Sequence, residues 1–358
     1  DKPVFIRKSR GYVLEPIKLP VSAGEQVCGL GGDLNNTITI VKEDKAYLSQ
    51  HVGDLSMLET QRYHSHALSN LKRLVSAGDV GSYACDMHPG YYTTSLKPEG
   101  EVIQVQHHLS HARSLQAEHG LTGDMICIVC DGVGYGPDGT IWGGEILKIN
   151  DNGFERFGGL KANPMPGGEA ATLYPARALA GILSRILSKN QLEEILVGYA
   201  ESLPGSQEEL GSVLKQLESG FNTIDSSSCG RVLDAAAVLV DACRKRTYLG
   251  EPAVRLESQA ETGTANIKFQ DVRDGRFINS GRILYQANEC LQAGCNPADA
   301  AASIQEALAV NLAEIAVEAA QEAGYDSVGF SGGVAYNRHF TKTIKEKVVA
   351  EGLECLLH

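Results

Sequence analysis

An α/β fold of two related halves, the second carrying a mainly helical insertion, is what this 358-residue sequence predicts. Three observations carry the prediction. Strand-like runs punctuated by glycine occur twice in the same order, in "QVCGLGGDLNNTITIVKEDKAYLSQHVGD" and in "DMICIVCDGVGYGPDGTIWGGEILKI". From Gly168 to about Ala300 the pattern is helical and alanine-rich, with no counterpart in the first half. A third glycine turn, "FSGGVAYN", follows an apolar strand near the end.

The first half opens with three short strands: one running to Gly31 and Gly32, one over Thr37–Val41 and one over Ala46–Ser49, the last two joined by "KEDK". Leu58, Leu68, Leu71 and Leu74 recur on one face and predict a helix from Ser56 to Ala77. "YACDMHPG" reads as a strand ending in polar residues and "EVIQV" as another strand. "VQHHLSHARSLQAEHG" reads as a helix. In the second half "PDGT" supplies the hairpin turn after "CDGVGYG". "GEAATLYPARALAGILSRIL" and "CGRVLDAAAVLVDACRK" read as amphipathic helices, and "DAAASIQEALAVNLAEIAVEAAQEAG" as a long helix closed by Gly324.

Composition restricts the function classes. A chain 43% hydrophobic and 21% charged is an ordinary globular one, and its net charge of −12 argues against broad electrostatic binding to nucleic acid. No run of 18 apolar residues marks a membrane span, and no basic start followed by an apolar core marks a secretory signal. The expected location is therefore cytoplasmic, with no membrane partner. The nine cysteines, mostly inside apolar runs, read as small reduced hydrophobes. Cys127 and Cys130 formally make a C-x-x-C pair, but strand alternation turns residues three apart to opposite faces.

The chemistry concentrates at the glycine turns and at the histidines. "GLGGD" (Gly29–Asp33), "CDGVGYG" (Cys130–Gly136) and "FSGGVAYN" (Phe330–Asn337) each follow a strand. Glycines there let backbone N–H groups approach a phosphate, and a helix start after Gly333 adds a favourable dipole. Three such turns in a duplicated frame resemble the actin, sugar kinase and heat-shock ATPase architecture, with its RNase H-like halves. His107 and His111, at i and i+4, share one helix face and suit a common metal; the alternative is a wet helix start with incidental histidines. His108 points elsewhere, to packing or to a supporting role. Asp131, at the end of a strand, is the best third ligand in the chain, its alternative being an Asp-Gly turn residue.

"VQHHLSHARSLQAEHG", "DGVGYGPDGTIWGGEIL", "SSSCGRVLDAAAVL" and "FSGGVAYN" resemble the Kae1-like C-terminal half of the HypF family of [NiFe]-hydrogenase maturation carbamoyltransferases, as do "GGDLNNT", "LSQHVGDLSMLET" and "ACDMHPGYYTTSL". The opening "FIRKSRGYVLEPI" resembles the end of that family's YrdC-like domain. The resemblance implies a remnant or linker over 1–24, a first Kae1-like half over 25–122, a second half over 123–166 and 300–358, and an insertion over 167–299. It implies that a YrdC-like domain makes carbamoyl adenylate from carbamoyl phosphate and ATP. The Kae1-like half then moves the carbamoyl group to the C-terminal cysteine of the partner HypE, where it becomes the precursor of a cyanide ligand. Under it, His107, His111 and Asp131 are catalytic and hold one divalent transition metal, iron or zinc. Gly132, Gly134 and Gly136 hold phosphate or an oxyanion. Gly332, Gly333 and Asn337 surround the AMP moiety, Glu169 binds its ribose, and Arg231 and Asp234 are weaker candidates.

The chain departs from the family pattern in two ways. It stops at "LECLLH", before the Pro-Asn-Asp-Gly-Gly motif whose aspartate completes the metal site, and it lacks the preceding modules that would form the adenylate. "YPARALAG" also replaces a stretch that usually holds tryptophan. The competing readings are an O-carbamoyltransferase acting on a small hydroxyl compound, the tRNA threonylcarbamoyladenosine enzyme, and a non-catalytic ATP-binding domain of the heat-shock ATPase type. The acidic charge speaks against the second, and the histidine pair against the third.

Overall fold

A computed structural model of the chain describes residues 15–358. They fall into two compact units, the first ending at Thr122 and the second running from Gly123 to His358. Most of the opening stretch read as the end of a YrdC-like domain, residues 1–14, lies outside the described residues.

The first unit contains β1 (Ile17–Lys18), β2 (Val27–Gly29), β3 (Thr39–Lys42), β4 (Lys45–Leu48), α1 (Leu58–Leu74), β5 (Ser82–Asp86), α2 (Tyr92–Ser95), β6 (Glu101–Val105) and α3 (His107–Glu118). Its sheet has the order β1-β4-β3-β2-β5-β6. β2, β3 and β4 pair antiparallel, while β2–β5 and β5–β6 pair parallel. Helix α1 is shorter than the leucine pattern suggests. Asp54 Oδ1 accepts the Ser56 amide at 2.9 Å, which ties the residues before the helix into a turn, and Ser76 has φ +49°, which ends it. Leu30, Ile38, Ile40, Leu55 and Leu71 fill the core of this unit.

The second unit begins with β7 (Met125–Tyr135), β8 (Ile141–Asn150), β9 (Gly153–Leu160) and β10 (Asn163–Pro166). The helices α4 (Ala170–Leu173), α5 (Pro175–Ser184), α6 (Lys189–Val197) and α7 (Ser206–Ser219) follow, then β11 (Thr223–Ser226), α8 (Cys229–Leu239) and α9 (Glu251–Ala260). β12 (Arg273–Asp274), β13 (Phe277–Ile278), α10 (Ser280–Gln292), α11 (Pro297–Ala323), β14 (Ser327–Ser331), α12 (Arg338–Ala350) and β15 (Glu354–Leu356) complete it. Its sheet repeats the first: β9-β8-β7-β14-β15 has the order of β4-β3-β2-β5-β6, with the same directions at every pairing. The chain is thus a duplicated α/β fold, as the repeated pattern predicts.

Two details of the second half go beyond the sequence reading. The segment from 167 to 299 is mainly helical, as read, but also carries short strands: β11 pairs with β10 and β8, and β13 adds to the edge of the sheet beside β9. "GEAATLYPARALAGILSRIL" forms two helices, because Pro175 cannot donate a backbone hydrogen bond and holds Tyr174 extended (φ −119°, ψ 93°). Helix α11 is long and apolar enough to cross a membrane by length and composition, yet 72% of that window is buried against the rest of its own unit. Its apolarity is that of a central core helix.

The cysteine reading also changes in part. Cys290 and Cys295 form a disulfide, whereas the other seven are free and six of those are buried. The pairing follows from the helix end: after α10, Gly294 takes φ +92° and the Cys295 amide donates to the Cys290 carbonyl at 3.0 Å, which brings the two residues together. Cys127 and Cys130 are no redox pair. Burial pushes the Cys127 thiol up, with Cys355 nearby, and Cys130 is raised by its contact with Cys229 and by burial.

Candidate functional site

In the first unit the chemistry gathers where the parallel strands β2, β5 and β6 end, the usual place for a ligand in an α/β sheet. A cleft of about 450 Å³ is lined there by Gly31, Gly32, Asp86, His107, Ser110 and His111, among others. β6 leads into α3 through Gln106, whose Oε1 accepts the Leu109 amide at 2.9 Å and caps the helix. The cap places His107 at the first helical position and His111 one turn on, with ring centroids 5.0 Å apart. His108 is buried and sits 3.0 Å from the Gln106 side-chain amide, a packing role as its position on the helix implies.

Asp86, which the sequence reading did not single out, holds His107. Its Oδ2 lies 2.8 Å from His107 Nδ1, and its Oδ1 accepts the His88 amide at 2.8 Å. Burial would raise this carboxyl, but the hydrogen bond and charge of His107 and the His88 N–H outweigh it and hold it below its ordinary value. With Nδ1–H directed at Asp86, a neutral His107 carries its lone pair on Nε2, the arrangement common among metal-binding histidines. The signal was available: Asp86 ends a buried strand, the place that the sequence reading gave to Asp131, which instead lies inside β7.

The Gly29–Asp33 turn is pinned from three sides. Asn36 Nδ2 donates to the carbonyls of Leu30 and Gly32, both at 2.8 Å. Asp33 accepts the amides of Tyr92 and Thr93. His64, fully buried on α1, places Nε2 3.3 Å from the Leu30 carbonyl. Gly31 has φ +75°, and a Cβ there would lie 2.6 Å from the Thr37 carbonyl, so no other residue fits. Burial lowers the His64 pKa below its ordinary 6.5, against smaller raising effects of the Leu30 carbonyl and Asp33. The unfolded chain therefore takes up this proton more readily than the folded one. Stability is expected to be level above pH about 6.5 and to fall below it, because protonation favours the unfolded state. Urea midpoints measured between pH 7.5 and 5 check this. His64→Gln should flatten the slope, and an unchanged slope would remove His64 as its cause.

In the second unit, Asp131 lies on β7, and three backbone segments crowd it. A Cβ on Gly143 would meet the Asp131 carbonyl at 2.6 Å, one on Gly230 the Gly132 Cα at 2.9 Å, and one on Gly333 Asp131 Oδ1 at 3.0 Å. Ser228, the cap of α8, has its Oγ 2.7 Å from the Gly132 carbonyl and 3.2 Å from that of Asp131. Ser228, Gly143 and Gly230 were missed by the sequence reading.

The reading of Cys130–Gly136 as a glycine turn is corrected. β7 continues to Tyr135, with a bulge in its pairing to β8 between Cys130 and Gly134, and Gly134 pairs with Trp142. The Gly136 amide donates to the Thr140 carbonyl at 2.9 Å, so it is committed to the hairpin and is no oxyanion donor. The Gly132 amide donates to Asp131 Oδ1 at 2.7 Å. The third turn is a turn as read, although its helix starts at Arg338 rather than directly after Gly333. Gly332 has φ +96°, Gly333–Tyr336 form a single 3₁₀ turn, and Asn337 caps α12. Both ends of the Asn337 side chain serve the fold, Nδ2 donating to Gln305 Oε1 at 2.8 Å and Oδ1 accepting the Phe340 amide at 3.0 Å. Glu169 is exposed at the start of α4, and among the described residues its carboxylate makes no hydrogen bond to Gly332, Gly333 or Asn337. Arg231 and Asp234 pair at 2.8 Å on α8. Burial raises the Asp234 carboxyl, against Arg231 and Arg246.

Residues 127–358 match the family model described as carbamoyltransferase, Kae1-like domain, second subdomain, and residues 22–118 match the HypF Kae1-like domain. The chain belongs to the HypF family. It is 35% identical over 364 residues to the probable carbamoyltransferase HypF of Methanocaldococcus jannaschii, covering 100% of this chain and 47% of that protein. It is 32% identical to carbamoyltransferase HypF2 of Cupriavidus necator, covering 98% and 46%. The crystal structure of T. kodakarensis HypF superposes with a TM-score of 0.90 at 39% identity, covering 98% of this chain and 47% of that one. Full-length HypF in its phosphate- and nucleotide-bound form gives 0.89 at 31% identity, covering 99% and 46%. The chain spans about half the length of these HypF relatives.

Proposed function

We propose that this chain is the carbamoyl-transferring part of a hydrogenase-maturation HypF. In this reading it takes the carbamoyl group of carbamoyl adenylate, made from carbamoyl phosphate and ATP, to the C-terminal cysteine of HypE. The observation that carries the proposal is the similarity of the whole chain to about half of HypF, including a relative whose solved form binds phosphate and nucleotide. The Asp86-oriented His107 beside a pinned glycine turn supports it.

The residue types suit a divalent transition metal, iron or zinc: His107 with its tautomer set by Asp86, His111 on the same helix face, and Asp131 at the bulge within β7. We assign these three as its ligands, and the chemistry the ion supplies when bound is polarisation of a carbonyl oxygen. The protein's own groups do the rest. Asp86 keeps the His107 proton on Nδ1. We assign the Gly29–Asp33 turn to phosphate and the Gly332–Gly333 turn to the nucleoside, each through backbone N–H groups. In the transfer, the acceptor thiolate forms an S–C bond to the carbamoyl carbon, the C–O bond to the adenylate phosphate breaks, and AMP leaves with that electron pair.

The test is carbamoylation of purified HypE by the chain, with carbamoyl adenylate supplied by a separate adenylate-forming domain. The expected result is a carbamoylated C-terminal cysteine in the mass spectrum. HypE left unmodified by the folded, metal-loaded chain would overturn the proposal.

A further inference from the structure

Glu145 is fully buried on β8, opposite Val129 of β7, and stands outside every role assigned above. A buried carboxylate persists only with its lone pairs satisfied. Here Oε1 accepts the Gly143 amide at 3.1 Å, the Gly144 amide at 3.2 Å and the Ser227 hydroxyl. Oε2 accepts Arg156 Nε from the neighbouring strand β9. The Arg156 guanidinium lies over the Trp142 ring, its Cζ 4.8 Å from the centroid, which fixes the cation in turn.

Three of the groups that Glu145 gathers lead to the backbone around Asp131: Gly143, Gly144, which pairs with Cys130, and Ser227 through its neighbour Ser228. Gly143 approaches the Asp131 carbonyl so closely that a Cβ would lie 2.6 Å from it and 2.8 Å from Ser228 Cα. Ser227 is followed by Ser228, whose hydroxyl bonds the Gly132 carbonyl. The β7–β8 ladder is interrupted by its bulge just here, between Cys130 and Gly134, so regular sheet pairing does not hold this stretch. The Glu145 carboxylate replaces it.

We propose that Glu145 is a positioning residue for Asp131: through Gly143, Gly144 and the Ser227–Ser228 pair it fixes the bulged backbone from which the Asp131 carboxylate projects. The proposal rests on the reading of Asp131 as a metal ligand. Glu145 reaches neither metal nor substrate; it decides how accurately the ligand is presented, and such supporting residues usually change metal affinity about 10–100-fold.

The experiment is Co²⁺ titration of the full chain against a competing chelator, with the visible Co²⁺ spectrum recorded. Amide exchange of the metal-free protein is followed over Val129–Tyr135. Glu145→Gln keeps the shape but turns an amide toward Arg156. It is expected to weaken Co²⁺ about 10–100-fold, to shift the spectrum and to speed exchange in that segment. Ser227→Ala, which leaves the ion pair intact, is expected to do the same to a smaller extent. It decides the matter if the glutamate variant fails to fold. Asp131→Ala is the control. If it leaves Co²⁺ affinity unchanged, the metal reading fails, while faster exchange in the other two would still uphold the backbone role. If Asp131→Ala loses the ion but folded Glu145→Gln, or Ser227→Ala in its place, keeps wild-type affinity, spectrum and exchange, the positioning role is overturned.

Discussion

His111→Ala is expected to abolish stoichiometric metal binding and carbamoyl transfer together while leaving the fold intact. His111 is a partly exposed residue at the edge of a cleft, so its truncation opens no core cavity. Removing one of two imidazoles on a helix face takes away a ligand that no nearby group replaces in kind. Asp86→Asn should do less. The amide still accepts the His107 Nδ1 proton but no longer supplies charge, and loss of such a supporting carboxylate typically costs about 10–100-fold in metal affinity. His108→Ala should leave metal content near the wild-type value. Elemental analysis of the purified variants, with circular dichroism to confirm folding, reads the series. Unchanged metal in His111→Ala would sink the assignment.

Gly332→Ala is expected to be the most damaging single change to stability at the third turn. The residue holds φ +96° and ψ 172°, a region essentially reserved for glycine, and a Cβ would lie 2.3 Å from the Cys130 carbonyl of the neighbouring strand. Backbone strain alone costs about 1–3 kcal/mol, before the clash is relieved by parting β14 from β7. For a domain of this size each kcal/mol lowers the melting temperature by roughly 2–4 °C, so a fall of about 10 °C or loss of soluble protein is expected by calorimetry. Gly333→Val differs in kind. Its Cβ would stand 3.0 Å from Asp131 Oδ1 with no backbone penalty, so the fold should survive while ATP or AMP affinity and metal affinity fall. A Gly332→Ala protein melting at the wild-type temperature would show that the turn is not held as described.

Much of the fold was legible because its signals are local. Glycine turns after apolar runs mark the ends of β2 and β14, and the repeated run order announced the duplication that the two sheets share. The failures have physical causes. β7 runs through its glycines because the partner strand β8 supplies pairing that no local pattern reveals. The strands β11 and β13 in the insertion are only four and two residues long, too short to show a period. Cys290 and Cys295 are brought together by a helix-end geometry that spacing alone does not announce.

By itself, the sequence determined the class of the fold, the histidine pair on one face of α3, and two of the three glycine turns, those at Gly31 and Gly332, because i, i+4 spacing and glycine's access to positive φ are properties of a few consecutive residues. Tertiary structure alone decided which partners make those residues useful. Asp86 orients His107 from 21 positions away, Glu145 meets Ser227 across 82, and Ser228 meets Gly132 across 96. It also decided that Gly136 and Asn337 spend their hydrogen bonds on the fold. A hydrogen bond needs a partner within about 3 Å, and which distant segment arrives there depends on how whole sheets and helices pack.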